Sequence, residues 1–238
     1  MHQRKNRGFL ITLILLMGVI VLFAFTNLDI YVQAFFFDEN THQWILDGNN
    51  KVLKFIFYTG IKKVLIAFAL LVALALVFLR KNTTVIAYKR GLIVVLFASI
   101  CVPLVVGSLK AVTNMPCPKN TQYFYGKYPN VNIFEHYPKS FQKRCPHCKI
   151  KCWPAGHASG GFALLSLFFL FKSKRNKKRA VIVALIIGFS MGTYKMLIGD
   201  HFLSHTLITL LLAWLIILII DQLITIIERK KSAKSTQI

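Results

Sequence analysis

The stretch Cys152–His205, CWPAGHASGGFALLSLFFLFKSKRNKKRAVIVALIIGFSMGTYKMLIGDHFLSH, decides how the chain is read. Two apolar runs flank a short basic loop holding Lys172, Lys174, Arg175, Lys177, Lys178 and Arg179. Titratable residues stand at the two far ends, His157 before the first run and Lys195, Asp200, His201 and His205 around the end of the second. A run of ~20 apolar residues has the length of a bilayer-crossing helix. The stretch therefore reads as a transmembrane hairpin whose ionisable groups gather at one membrane edge, where such groups are costly and mark function.

Working outward, the same signals recur. The 238 residues are 55% hydrophobic, too apolar for an ordinary soluble domain. Six segments have span character, at about 8–26, 60–79, 89–109, 157–172, 180–199 and 203–226. The net charge is +22, from 30 Lys and Arg against 8 Asp and Glu. In a soluble chain that excess would suggest nucleic acid. Here the bases sit in short connections, at Arg4, Lys5 and Arg7, at Arg80, Lys81, Lys89 and Arg90, in the hairpin loop, and at Arg229, Lys230, Lys231 and Lys234. Short basic connections mark the cytoplasmic side, so the charge belongs to topology and anionic lipid, with no nucleic-acid partner. Six of the eight acids, Asp29, Asp38, Glu39, Asp47, Glu135 and Asp200, fall in the other connections. The expected fold is all-α, a single integral membrane domain over 1–238 with six helices and both termini cytoplasmic. Residues 27–59, rich in Tyr, Phe and Trp, should form short interfacial helices.

The loop 110–156 lies on the outer side in this arrangement. It holds Cys117, Cys145, Cys148 and Cys152, an even number on an oxidising side, which points to disulfides without choosing among three pairings. Cys145-x2-Cys148 followed by Cys152, with His147, also has the residue types of a zinc site, although zinc needs reduced thiolates.

The ends of the hairpin carry the chemistry. Pro154-Ala155-Gly156-His157 opens a helix, where backbone N–H groups attract anions and glycine lets a phosphate come close. His157 stands at that mouth as a proton donor, with Ser159 nearby. His201 and His205, four apart, share a helix face, the arrangement of a nucleophile oriented by a second group. Lys110 and Lys195 end their spans at the same level.

With these residues placed, the chain resembles the type 2 phosphatidic acid phosphatase superfamily over about residues 90–215. Lys110 through Pro118 is similar to its Lys-x6-Arg-Pro motif, Pro154-Ala-Gly-His157 to Pro-Ser-Gly-His, and Lys195 through His205 to Ser-Arg-x5-His-x3-Asp. The phrasing around Cys152 and Gly199 looks like a bacterial branch that includes lipid A phosphatase-like proteins. The resemblance implies a metal-independent membrane lipid phosphatase with no cofactor. His201 would attack phosphorus to form a phosphohistidine, His157 would protonate the leaving oxygen, and Lys110, Lys195 and the Ala155 and Gly156 backbone would hold the phosphoryl oxygens. The substrate would be an anionic envelope lipid such as lipid A, undecaprenyl diphosphate or phosphatidylglycerophosphate, at the periplasmic face of a bacterial inner membrane. A lipid-to-lipid phosphotransferase and a non-catalytic lipid-binding relative are the alternatives.

Three departures from the pattern bear on this. The first-motif arginine is Cys117, so Arg144 or another loop base would take its place. The third-motif arginine is Lys195, which keeps charge without the bidentate fork. The closing aspartate is His205, so Asp200 is the candidate orienting acid.

Overall fold

The computed structural model describes residues 2–145, 148 and 150–235, and is helical nearly throughout. His147, named above as a candidate zinc ligand, lies outside the described residues. Eight helices follow in order: α1 His2–Ala24, α2 Leu28–Ala34, α3 Lys51–Phe78, α4 Thr83–Val112, α5 Lys139–Arg144, α6 Gly156–Leu170, α7 Lys174–Leu197 and α8 Leu203–Ser235. Five of them, α1, α3, α4, α7 and α8, are long and apolar enough to cross a membrane. The protein is thus an all-α, multi-pass membrane protein.

The start signals are local. Asn50 caps α3 by accepting from Val52 and Leu53 N–H at 3.0 and 3.1 Å, and Asn82 caps α4 by accepting from Thr84 and Val85. Ser173 does the same for α7 through Asn176. Each cap satisfies N–H groups that the first helical turn leaves without a partner.

Two segments differ most from the sequence expectation. The second long helix begins at Lys51 rather than near 60, passing through a π-helical turn at Phe55–Thr59 that carries Tyr58 toward the bundle. The expected span at 157–172 is the shorter segment α6, tightened by a 3-10 step at Leu164–Ser166. Such a step loses the regular α rise because its hydrogen bonds close over three residues. Between α2 and α3 the chain forms a two-residue hairpin, β1 Phe37–Asp38 against β2 Gln43–Trp44, where interfacial helix alone was expected.

Short α6 is the centre of the bundle, packed against α4, α7 and α8. Its Ala158 and Phe162 are fully buried with Val94, Ala98 and Val102 of α4, Ala184 of α7, and Ala213 and Ile217 of α8. Close approach to α7 depends on two glycines facing each other: a Cβ on Gly161 would lie 2.7 Å from the Gly188 Cα. α1 packs along α8, and α3 lies outermost against α4.

Candidate active site

Because α4, α6, α7 and α8 alternate in direction, the end of α4, the start of α6, the end of α7 and the start of α8 meet at one end of the bundle. Lys110, Gly156, His157, Lys195, His201 and His205 all arrive there. His201 stands in the turn between α7 and α8. That turn is closed by hydrogen bonds from Asp200 N–H and His201 N–H to the Lys195 carbonyl, at 2.8 and 3.3 Å. Gly199 sits in it at φ +73°, with its α-carbon against the Trp44 ring, a conformation and a space that suit only glycine.

The three histidines form a row. His157 Nδ1 lies 3.3 Å from His201 Nε2, and His201 Nδ1 lies 3.4 Å from His205 Nδ1. The His205 ring also hydrogen-bonds the Cys152 carbonyl. A carbonyl only accepts, so the His205 nitrogen facing it carries the proton. Which nitrogen donates in each of these contacts follows the tautomers of the three rings. His201 and His205 are each 1% exposed, so neither ring is wetted in this state. Burial first, then the His205 and His157 rings and the Lys110 and Lys195 charges, hold the conjugate acid of His201 well below the usual imidazole range.

The lysines are organised by Asp200. Its Oδ2 accepts from Lys195 Nζ at 2.7 Å, and its Oδ1 pairs with Lys119 Nζ at 2.6 Å. Burial raises the Asp200 carboxyl, but these two lysines outweigh it and leave it below the ordinary carboxylate range. This corrects the expectation that Asp200 orients His201. Neighbours on the chain around a turn face different ways, and the group on His201 Nδ1 is His205. Lys195 also lies over the Tyr58 ring, 5.1 Å from its centroid, and Tyr58 meets His157 edge-on at 4.5 Å.

The expected backbone cradle is also corrected. Ala155 N–H donates to Thr209 Oγ1 at 2.9 Å and toward the His205 carbonyl at 3.3 Å, and Gly156 N–H donates to the Pro154 carbonyl at 2.9 Å. Ala155 is fully buried beneath α8, so its N–H serves the packing of α6 on α8 rather than the open side of the site. Gly156 lies beside Lys110, whose Cδ would be in ordinary van der Waals contact, at 3.6 Å, with a Cβ there.

In the structure Cys117 is bonded to Cys152 and Cys145 to Cys148. The three cysteines of the alternative zinc set are thereby all engaged as disulfides. The Cys117–Cys152 bridge joins the segment after α4 to the segment before α6, and Thr113 Oγ1 reinforces it by donating to the Trp153 carbonyl at 2.6 Å.

Several contributors were not singled out from sequence. Lys119, two residues past Cys117, was legible only as a base beside a motif that lacks its arginine. Asp29 accepts from Ser204 N–H at 2.9 Å and from Ser204 Oγ, holding the start of α8 beside His205. Burial lifts its carboxyl to about 6, against the two Ser204 hydrogen bonds that lower it. Gln33 Nε2 donates to the Met196 carbonyl at 2.8 Å. Both come from α2, more than 160 residues away in sequence, and no local pattern announces them.

Beside the histidine row a cavity of about 630 Å³ runs between α3, α4 and α6. Tyr58, Lys62, Lys110 and His157 line its polar end, and its apolar walls include Ile66, Leu70 and Ile100. Those three are 51–58% exposed, so the cavity opens along the apolar flank of the bundle.

Fold and site together define a multi-pass helical membrane protein with a buried histidine row ringed by lysines at one end of the bundle. A sequence model of the PAP2 superfamily matches residues 90–227, more than half the chain, and the protein belongs to that superfamily of phosphatases. The match spans Lys110, His157, Lys195, His201 and His205, while Asp29, Gln33, Tyr58 and Lys62 precede it. No curated protein and no solved structure matches the chain.

Proposed function

We propose that the protein is a membrane lipid phosphatase that cleaves a phosphomonoester or diphosphate of an anionic envelope lipid through a phosphohistidine at His201. The observation that carries this is the place of His201 between the two other rings, its Nδ1 3.4 Å from His205 and its Nε2 3.3 Å from His157; with Nδ1–H donating to His205, the Nε2 lone pair faces His157.

The 3.3 Å contact between His201 and His157 closes the gap that phosphorus would occupy, and substrate entry separates the two rings. His201 Nε2 then attacks phosphorus, the bond from phosphorus to the lipid oxygen breaks, and His157 passes a proton to that oxygen. The Nδ1–H of His201 stays on His205, which holds the ring in line as positive charge develops. Water, giving its proton back to His157, attacks phosphorus in turn and frees inorganic phosphate. Lys110 and Lys195 stabilise the charge on the non-bridging oxygens, the main task in phosphoryl transfer.

The cavity supports the lipid character of the substrate. Its lysine-lined end suits a phosphate headgroup, and its apolar walls suit hydrocarbon. The basic connections support a topology with both termini cytoplasmic and the site on the outer, periplasmic side of a bacterial inner membrane. Phosphate release by the purified protein in detergent, measured over a panel of lipid monophosphates and diphosphates, is the test. Wild type should release phosphate from at least one, and His201→Ala and His157→Ala should not. Equal, minimal release by all three on every lipid would sink the reading.

A further inference from the structure

We infer that Lys119 is a phosphate-binding residue of this site and supplies the second cation that the superfamily pattern takes from the arginine at the position of Cys117. The inference rests on the reading that the histidine row handles a phosphoryl group.

The first motif runs Lys110-x6-Cys117-Pro118, so the expected fork of N–H donors is missing from its own position. Cys117 cannot restore it, because its sulfur is spent on Cys152. Two residues on, the chain turns through a 3-10 step at Pro118–Asn120. Lys119 N–H there donates to the Gly199 carbonyl at 3.0 Å, in the turn that presents His201. The backbone of Lys119 is thus tied to the third motif directly, and through the Cys117–Cys152 bridge to the second.

Its side chain shows what it is spaced to hold. Lys119 Nζ and Lys195 Nζ share one carboxylate, Oδ1 at 2.6 Å and Oδ2 at 2.7 Å. Two ammonium groups that bridge the paired oxygens of a carboxylate can also bridge two oxygens of a phosphoryl group, whose oxygens are spaced similarly. Each ammonium has three N–H groups and spends one on Asp200, so both keep donors for a substrate. Lys195 is beside His157 through Tyr58, and Lys119 joins Lys195 through the shared Asp200 carboxylate. A purely structural Lys119 would clamp the loop to Asp200 and nothing more.

The test uses the full chain in detergent and separates these roles. Direct titration with inorganic phosphate and with vanadate should give at least tenfold weaker binding for Lys119→Met than for wild type, with Lys119→Arg within about threefold, since one charge-assisted hydrogen bond carries about this much. On the active lipid, KM should rise by a similar factor in Lys119→Met. Thermal unfolding of each variant reports whether the loop still folds. Phosphate binding and KM within about twofold of wild type in a folded Lys119→Met protein would overturn the inference. So would Lys119→Arg falling as far as Lys119→Met. Should wild type bind phosphate through Lys119 yet turn over no lipid, the catalytic reading fails and the binding assignment stands.

Discussion

His205 Nδ1 lies 3.4 Å from His201 Nδ1, and the His205 ring also bonds the Cys152 backbone. An imidazole polarised by a peptide carbonyl thereby occupies the place where the superfamily pattern has a carboxylate. It orients the ring without bringing a negative charge into a fully buried setting.

The first prediction concerns this pair. His205→Phe removes the acceptor and should lower kcat about 100-fold, in the range of a lost acid–base or orienting partner. His205→Asp, which can accept from the same N–H, should stay within about tenfold of wild type. Steady-state phosphate release decides it; equal losses in the two variants would show that the acceptor on His201 Nδ1 is unimportant.

The pH profile follows from the displaced titration of His201. In the proposed mechanism the basic form of the ring attacks, and its conjugate acid is held well below the ordinary value. Activity should therefore persist as pH falls through 6.5, the unperturbed imidazole value, and decline only further into acid. The same shift makes the unfolded chain bind the proton first, so the stability contribution of neutral His201 is lost as pH falls below about 6.5. An acid limb of kcat/KM centred at or above 6.5 would contradict this.

The Cys117–Cys152 bridge closes a loop with a sequence separation of 35. Chain-entropy arguments give such a crosslink about 4 kcal/mol. It also steadies the Cys152 carbonyl on which His205 depends. Replacing both cysteines by serine should lower the unfolding temperature and reduce kcat, whereas replacing Cys145 and Cys148, whose bridge spans three residues, should do much less to either. Melting curves and phosphate release on both double variants test the contrast.

Gly199→Ala should be damaging out of proportion to one methyl group. The φ of +73° disfavours any Cβ, and the Trp44 ring fills its place. Because the same turn presents His201 and receives Lys119, an activity loss of at least tenfold is expected beside a lowered melting temperature. Wild-type kinetics in this variant would show that the turn has slack.

Much of the fold was readable because apolar runs and basic connections are local signals. The α4, α7 and α8 spans emerged on that basis. The early start of α3 was hidden by Lys51, Lys54, Lys62 and Lys63, which interrupt the apolar run although the helix continues through them. The shortness of α6 was hidden by leucines and phenylalanines that favour helix equally on either side of its 3-10 step. At the site, the two motif histidines and His205 were legible from spacing and resemblance. The partners of Asp200 were not, since Lys119 is 81 residues away in sequence and its approach depends on a disulfide choice that four cysteines leave open. Nor was the internal use of Ala155 N–H, which depends on the hydroxyl of Thr209 one turn into α8.

For a lipid substrate, the cavity that opens on the apolar flank would make encounter two-dimensional. The lipid substrate proposed above, arriving through Ile66, Leu70 and Ile100, would never leave the leaflet, so the quantity that sets the rate would be its mole fraction among neighbouring lipids, not its amount per volume of buffer. Inert detergent added at constant substrate should slow turnover by surface dilution, while a water-soluble phosphate ester should be indifferent to it.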